Sequence, residues 1–367
     1  MLLFRQWAIA LLLTISAVPA VAQQIRTIDK DGQPVPYVSV MTTDAKFIGI
    51  TDIDGVIADV RGADTITVSH IAYKSKLYKV NGKSGSITLE DADFGLPEIV
   101  VKKKPLVYVQ TYYRMYYYDD EDGVSYYRVG LTDNVYDRTT KKLSASTANA
   151  SKAMYGILKT TLNALVGRIL NHASQIQMKK REETLVNNNK EIQLKITPEG
   201  PGKKRISDFK GTIGHITDDL SAGQRRISLN TDLMSRHRLE ASGNTKKQAK
   251  REKREAKKKN RQESDFIIYR IDEAGNYAPE DFVMAQYMTS YDKESDGKDL
   301  HTVLAMQVFT TDRAYVDKAE LKALKKANKM KMTYQNIQSF ERSHKIPALA
   351  PTIQKKLNEL WKADNGD

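Results

Sequence analysis

The sequence predicts a mainly β N-terminal sandwich followed by an α+β domain with a mostly antiparallel sheet and a long amphipathic helix. Three observations predict it. Short β-branched runs alternate with turn signals between residues 24 and 101. Two tyrosine-rich runs then flank an acidic turn between Leu106 and Asp137, and from residue 151 the apolar spacing changes from two to three and four.

The first segment to justify is the N-terminus. Arg5 precedes the almost wholly apolar run Trp7–Val18, and Pro19-Ala20-Val21-Ala22 places small residues where a signal peptidase reads. Residues 1–22 are expected to be a cleaved secretory signal peptide. The run is too short for a bilayer span, which needs ~20 apolar residues. No other segment approaches that length, so no transmembrane segment is expected after cleavage. Cysteine is absent, which excludes a disulfide framework, a thiolate zinc site, a cysteine nucleophile and a lipidated N-terminal cysteine.

Between residues 23 and 101, turn signals recur at Asp31-Gly32, Asp54-Gly55, Gly62-Ala63-Asp64 and Asn81-Gly82. Val38 and Val40, Ile66 and Val68, and Ile87 and Leu89 alternate with polar residues, the period-two signature of half-buried strands. Within "GITDIDGVIADV", Asp52, Asp54 and Gly55 are expected to turn a corner. There Asp accepts backbone hydrogen bonds and Gly supplies a positive φ. A calcium loop would need further oxygen ligands at regular spacing, and Val56-Ile57-Ala58 offers none.

Taken in order, "DKDGQPVPYVSV", "GITDIDGVIADV", "DTITVSHIAYKS", "GSITLED" and "LPEIVVKKK" resemble the carboxypeptidase-regulatory-like domain, a transthyretin-like, immunoglobulin-like β-sandwich. Such domains often sit at the N-termini of TonB-dependent outer-membrane receptors and other exported envelope proteins of Gram-negative bacteria. The resemblance covers residues 24–101, about a fifth of the chain. It departs from the pattern at Val56-Ile57, where an aromatic residue is common, and at Ala72, where a glycine usually precedes the tyrosine. It implies an exported protein, periplasmic or associated with the outer membrane.

Residues 102–107, opening on Lys102-Lys103-Lys104-Pro105, read as a linker to a second domain at 108–367. Eight of the nineteen tyrosines fall between Tyr108 and Tyr127, around the tip Asp119-Asp120-Glu121-Asp122-Gly123 of an expected hairpin. Tyr112, Tyr113, Tyr116, Tyr117, Tyr126 and Tyr127 are either one half-buried sheet surface or a platform for stacking a glycan or partner. Four adjacent carboxylates cannot all converge on one calcium from a single turn.

Met154, Leu158, Leu162, Leu165, Ile169, Ala173 and Ile176 follow helical spacing, which predicts a long amphipathic helix over 151–186. Strands are expected at Ile192–Thr197, Ile206–Ile216, Arg226–Leu229, Phe266–Ile271, Phe282–Ser290 and Leu300–Phe309. A helix capped by Asp317 should follow, and a final helix over Thr352–Lys362 should turn Ile353, Leu357, Leu360 and Trp361 inward. Those helices and the lysine-rich segment leave too little chain for a transmembrane barrel. The arrangement after the sandwich also looks like that of uncharacterised exported proteins bearing the same N-terminal domain.

The formal charge of +13 is concentrated. Ten basic residues between Lys246 and Arg261 face only Glu252 and Glu255, a net of +8. The stretch 245–262 reads as an exposed insertion, partly helical or disordered, with no apolar stripe to dock it. Lys250, Arg251, Arg254, Lys257 and Lys258 are the candidate anion-binding residues; a solvated charge run is the plainer reading. No base-reading module accompanies them, so nucleic acid is not an expected partner.

The zinc carboxypeptidase chemistry suggested by the family name needs two His and a Glu on the metal. His237-Arg238-Leu239-Glu240 matches one short spacing, with His301 or His344 as a third ligand, but Glu240 runs directly into the lysine-rich segment. No Gly-x-Ser-x-Gly elbow, phosphate loop or dinucleotide fingerprint occurs. Catalytic, metal and cofactor residues are therefore read as none. The expected function is that of a non-catalytic envelope protein that binds or scaffolds an outer-membrane or periplasmic protein, a glycan or an anionic envelope surface. The alternative is a peptidase or glycan hydrolase with a dispersed active site in the second domain.

Overall fold

The computed structural model describes residues 24–365 except 61, 82–83, 94–103, 141, 156–180, 296 and 328–332. The expected signal peptide lies outside the described residues. Over the described residues the protein is mainly β, 48% strand against 23% helix, and its sheets are mostly antiparallel.

Among the described residues, seven short strands build the N-terminal unit: β1 (Ile25–Ile28), β2 (Ser39–Thr42), β3 (Phe47–Ile50), β4 (Val56–Ile57), β5 (Thr65–His70), β6 (Tyr73–Lys79) and β7 (Gly85–Thr88). They form a three-stranded sheet in the order β4-β1-β7 and a four-stranded sheet in the order β3-β2-β5-β6. All pairs are antiparallel except β1 with β7. Val38, Val40, Ile66, Val68, Ile87 and Leu89, the alternating residues of the sequence, are all buried.

Asp52 makes the expected corner. One of its carboxylate oxygens accepts from the amides of Asp54 at 2.9 Å and Val56 at 2.8 Å. Gly55 has φ +73°, and a Cβ there would lie 2.6 Å from the Thr27 carbonyl oxygen and 3.0 Å from that of Val35. Gly55→Ala is thus expected to destabilise the protein by more than about 1 kcal/mol, read by denaturant unfolding. An unchanged midpoint would refute this account of the turn.

The remainder of the chain is organised by one ten-stranded antiparallel sheet. Its strands are β8 (Leu106–Asp119), β9 (Gly123–Asp137), β10 (Lys142–Tyr155), β11 (Lys195–Gly200), β12 (Lys203–Ser207), β13 (Thr212–Asp219), β14 (Gln224–Asn230), β15 (Lys259–Arg270), β16 (Phe282–Ser295) and β17 (Lys298–Val316). Two meanders, β8–β10 and β11–β17, join where β17 pairs with β8, which gives the order β10-β9-β8-β17-β16-β15-β14-β13-β12-β11. Among the described residues six α-helices accompany it: α1 (Arg181–Asn188), α2 (Thr231–Ala241), α3 (Thr245–Glu255), α4 (Lys318–Ala327), α5 (Tyr334–Ser343) and α6 (Pro351–Asn365).

Several boundaries differ from those the sequence predicts. Leu106 and Val107, read as linker, open β8. Residues 151–155, read as the start of the long helix, continue β10, where Met154 pairs with Tyr127 and Tyr155 with Tyr126. Pairing with a fifteen-residue neighbour supplies backbone partners that local spacing does not reveal. The middle of that predicted helix, 156–180, lies outside the described residues, and its end is α1. Ile206–Ile216 is two strands broken at Asp208–Gly211, and residues 259–262 of the supposed insertion belong to β15. The helix after Asp317 forms as expected. Its carboxylate accepts from the amides of Ala319 at 2.8 Å and Glu320 at 2.9 Å. The terminal helix buries Ile353, Leu357, Leu360 and Trp361.

One face of the large sheet, through Tyr112, Tyr116, Phe266, Met284, Met288 and Phe309, shares a single hydrophobic cluster with the N-terminal unit and with α5 and α6. At this seam Phe47 stacks on His301 with ring centroids 4.6 Å apart, and its amide donates to Asp120 at 2.7 Å. The Tyr118 hydroxyl donates to the Ala45 carbonyl. Arg226 donates to the Tyr73 hydroxyl at 2.8 Å and to Asp91 at 3.1 Å. The opposite face, through Tyr113, Met115, Tyr126, Ile227, Ile267 and Tyr269, forms a second cluster with Leu185 of α1, Ile192, Leu194 and Met234 of α2.

Candidate functional site

The two sequence candidates meet different fates. All six tyrosines are buried: Tyr112, Tyr113, Tyr116, Tyr117, Tyr126 and Tyr127. Strand alternation sends Tyr112, Tyr116 and Tyr127 into the cluster shared with the N-terminal unit, and Tyr113, Tyr117 and Tyr126 into the other. An open stacking platform is therefore not what these side chains form, nor is it a sheet surface left half in water. The Tyr112 hydroxyl donates to Glu341 at 2.8 Å. Burial pushes the Tyr116 hydroxyl up to about 12, and those of Tyr112 and Tyr127 well above the usual phenol range.

The basic stretch becomes an ordered arm. Asn230 caps α2 by accepting from the Leu233 amide at 2.9 Å. The chain then turns at Gly243, φ +61°, and Asn244 starts α3 by accepting from the Lys247 amide at 3.0 Å. One side of α3 is pinned to α2. Gln248 donates to the Leu239 carbonyl at 3.3 Å, and Arg251 donates to Asp232 at 2.8 Å and to Glu255 at 2.6 Å.

Asp232 is buried and also receives Arg236 at 2.8 Å and Arg261 at 3.8 Å. Burial raises its carboxyl pKa, opposed by Arg236, Arg251 and Arg261. The segment thus docks through a polar anchor, which a search for an apolar stripe cannot find.

That anchor divides the five candidate residues. Arg251 is turned inward and is not available to an outside anion. Lys258 places its ammonium 4.0 Å from the Tyr291 ring centroid, a cation–π contact at the base of the arm. Lys250 and Lys257 are exposed. Of Arg254, only its place in the helix is described. Lys246, Lys247 and Lys253, outside the predicted set, are exposed as well. For Lys246 and Lys253 the signal was available: 246, 250 and 253 are spaced by four and three and share one stripe of α3, with Lys257 in the turn that follows. At about 100° per residue that stripe lies opposite the stripe 248, 251 and 255 that carries the anchor. The arrangement provides ammonium groups in water and suits ionic attraction rather than bond making.

Two His–Asp pairs are the nearest thing to acid–base machinery. His237 Nδ1 meets Asp208, whose carboxylate also accepts from the Lys210 amide at 2.8 Å and the Gly211 amide at 3.2 Å. His301 Nδ1 meets Asp292, which accepts from Asn260 at 2.7 Å. Both histidines are buried, and each pair locks a helix or strand to a neighbouring segment. Glu240, the mooted zinc partner of His237, pairs instead with Lys210. Among the described residues no group of three or more His, Asp and Glu is placed to hold a metal ion, and no helix is long and apolar enough to cross a membrane.

Compared with models of known protein families and with curated proteins, the chain matches none at a significant level.

Proposed function

We propose that this protein is a non-catalytic exported envelope protein that binds or scaffolds another envelope component or glycan. In this reading the two small N-terminal sheets are an immunoglobulin-like sandwich of the carboxypeptidase-regulatory type, fused to a large sheet that carries the basic arm. The carrying observation is the hydrophobic cluster shared by the N-terminal unit, the large sheet, α5 and α6. A body joined through one core presents its surface features at fixed separations, which is what scaffolding requires. The apolar leader supports export to the periplasm or outer membrane.

The test has two parts. Fractionation of a Gram-negative host should place the processed chain in the envelope, and an affinity pull-down from solubilised envelope should recover a partner with intact protein. Finding the mature chain in the cytosol would refute the reading. So would hydrolysis of peptide or glycan that is abolished by His237→Ala.

A further inference from the structure

Resting on that reading, we infer that Lys246, Lys250 and Lys253 of α3, with Lys257 in the turn after it, form a ridge by which the protein adsorbs to the phosphate-bearing headgroups of an anionic lipid surface. Lys246, Lys250 and Lys253 stand on the side of α3 away from its anchor, Lys257 follows in the turn after the helix, and all four side chains are exposed. Arg251, Arg236 and Arg261, by contrast, are taken up by Asp232, Glu255 and Glu263. From Lys246 to Lys253 the ridge runs about 10 Å along the helix.

Three features favour a lipid surface over a glycan or nucleic acid. The ridge is convex, whereas a site for a small or individually recognised ligand is concave. No aromatic residue interrupts 244–258, whereas single-stranded nucleic acids are gripped by stacking on aromatic rings. Its groups are ammonium point charges and not guanidinium forks, so they register charge density without demanding a fixed phosphate geometry.

The same composition defines the mode of contact. Ala249 and Ala256 are the apolar residues of 244–258, and both are exposed, so the arm carries nothing to insert below the headgroups. The acidic hairpin tip, where Glu121 and Asp122 are exposed, lies at the same end of the sheet as the start of β15, three strands or roughly 14 Å away. An anionic surface repels that tip, so contact is confined to the ridge side.

The proposal is tested by co-sedimentation of the full chain with phosphatidylcholine vesicles and with phosphatidylcholine–phosphatidylglycerol vesicles. The neutral vesicles provide the baseline for any contribution from the apolar N-terminal run. Binding to the anionic vesicles is expected above that baseline and should weaken as salt rises. Each ridge lysine is expected to contribute about fivefold in partitioning, so Lys250→Gln/Lys253→Gln should lower binding roughly 25-fold. The same double change at Lys322 and Lys326 on α4 should leave it within about twofold.

An unchanged melting temperature in the ridge variant shows that the fold is intact. Binding to the anionic vesicles that survives the ridge substitutions would overturn the inference. Capture of a linear polyanion such as polyphosphate without vesicle binding would also overturn it, while leaving the envelope reading to its own fractionation test.

Discussion

Replacing Arg114 with alanine is expected to lower the free energy of unfolding by about 3–5 kcal/mol, the cost of removing one partner of a buried ion pair. Arg114 lies on β8 with 1% of its surface exposed. Its Nε donates to Gln307 at 2.6 Å, one terminal nitrogen to Glu341 at 3.2 Å and the other to the Pro347 carbonyl at 2.6 Å. The guanidinium also lies over Phe309, 5.4 Å from the ring centroid.

Those contacts tie α5 and the segment before α6 to the sheet face that the N-terminal unit shares. Truncation leaves Glu341 with only the Tyr112 hydroxyl among these donors and opens a void beneath it. Denaturant unfolding of the wild type and Arg114→Ala checks the value. Arg114→Met fills the void but leaves the carboxylate, so it should lose most of the same stability; adding Glu341→Gln should recover part of it. A loss below about 1 kcal/mol in Arg114→Ala would show that the network is not what holds these helices.

The second large effect is pH-dependent. His70, at the end of β5, is buried in the seam. Its Nδ1 accepts from the Ala72 amide at 3.2 Å, and its ring meets Phe266 edge-on at 4.5 Å and Tyr73 at 5.3 Å. Burial, with the positive Arg226 of β14 nearby, lowers its pKa from 6.5 to about 3. The unfolded chain therefore binds a proton that the folded chain refuses between pH 6.5 and 3. Stability from this group is complete above pH 6.5 and falls as pH drops through that window. At pH 5 the loss is about 2 kcal/mol. Comparing denaturant unfolding at pH 7 and pH 5, His70→Gln should remove that part of the pH dependence. Equal pH dependence in the two proteins would rule out His70 as its source.

Legibility of the fold tracked the range of the interactions involved. The Asp52–Gly55 corner, the Asp317 cap and the inward stripe of α6 are each completed within a few residues, so residue type and spacing were enough. The tyrosine-rich hairpin was equally readable as a hairpin. Which core each tyrosine enters was not, because that depends on what lies against each face of the sheet. The exposed ridge on α3 was half legible. Its charge was visible as composition, but the inward turn of Arg251 requires Asp232, nineteen residues earlier, to be buried beneath it.

By itself, then, the sequence determined the short-range elements: the alternating strands and turns described between Ile25 and Thr88, the hairpin with its acidic tip, the capped helices and the location of the positive charge. Tertiary structure alone decided that residues 142–155 are a strand, that two meanders meet through β17 and β8, and that the N-terminal unit shares a core with the large sheet. It also decided which cations are left facing water. The reason is physical: backbone pairing, burial and ion pairing between distant segments override local preference, and the identity of those distant partners is set only when the chain is assembled.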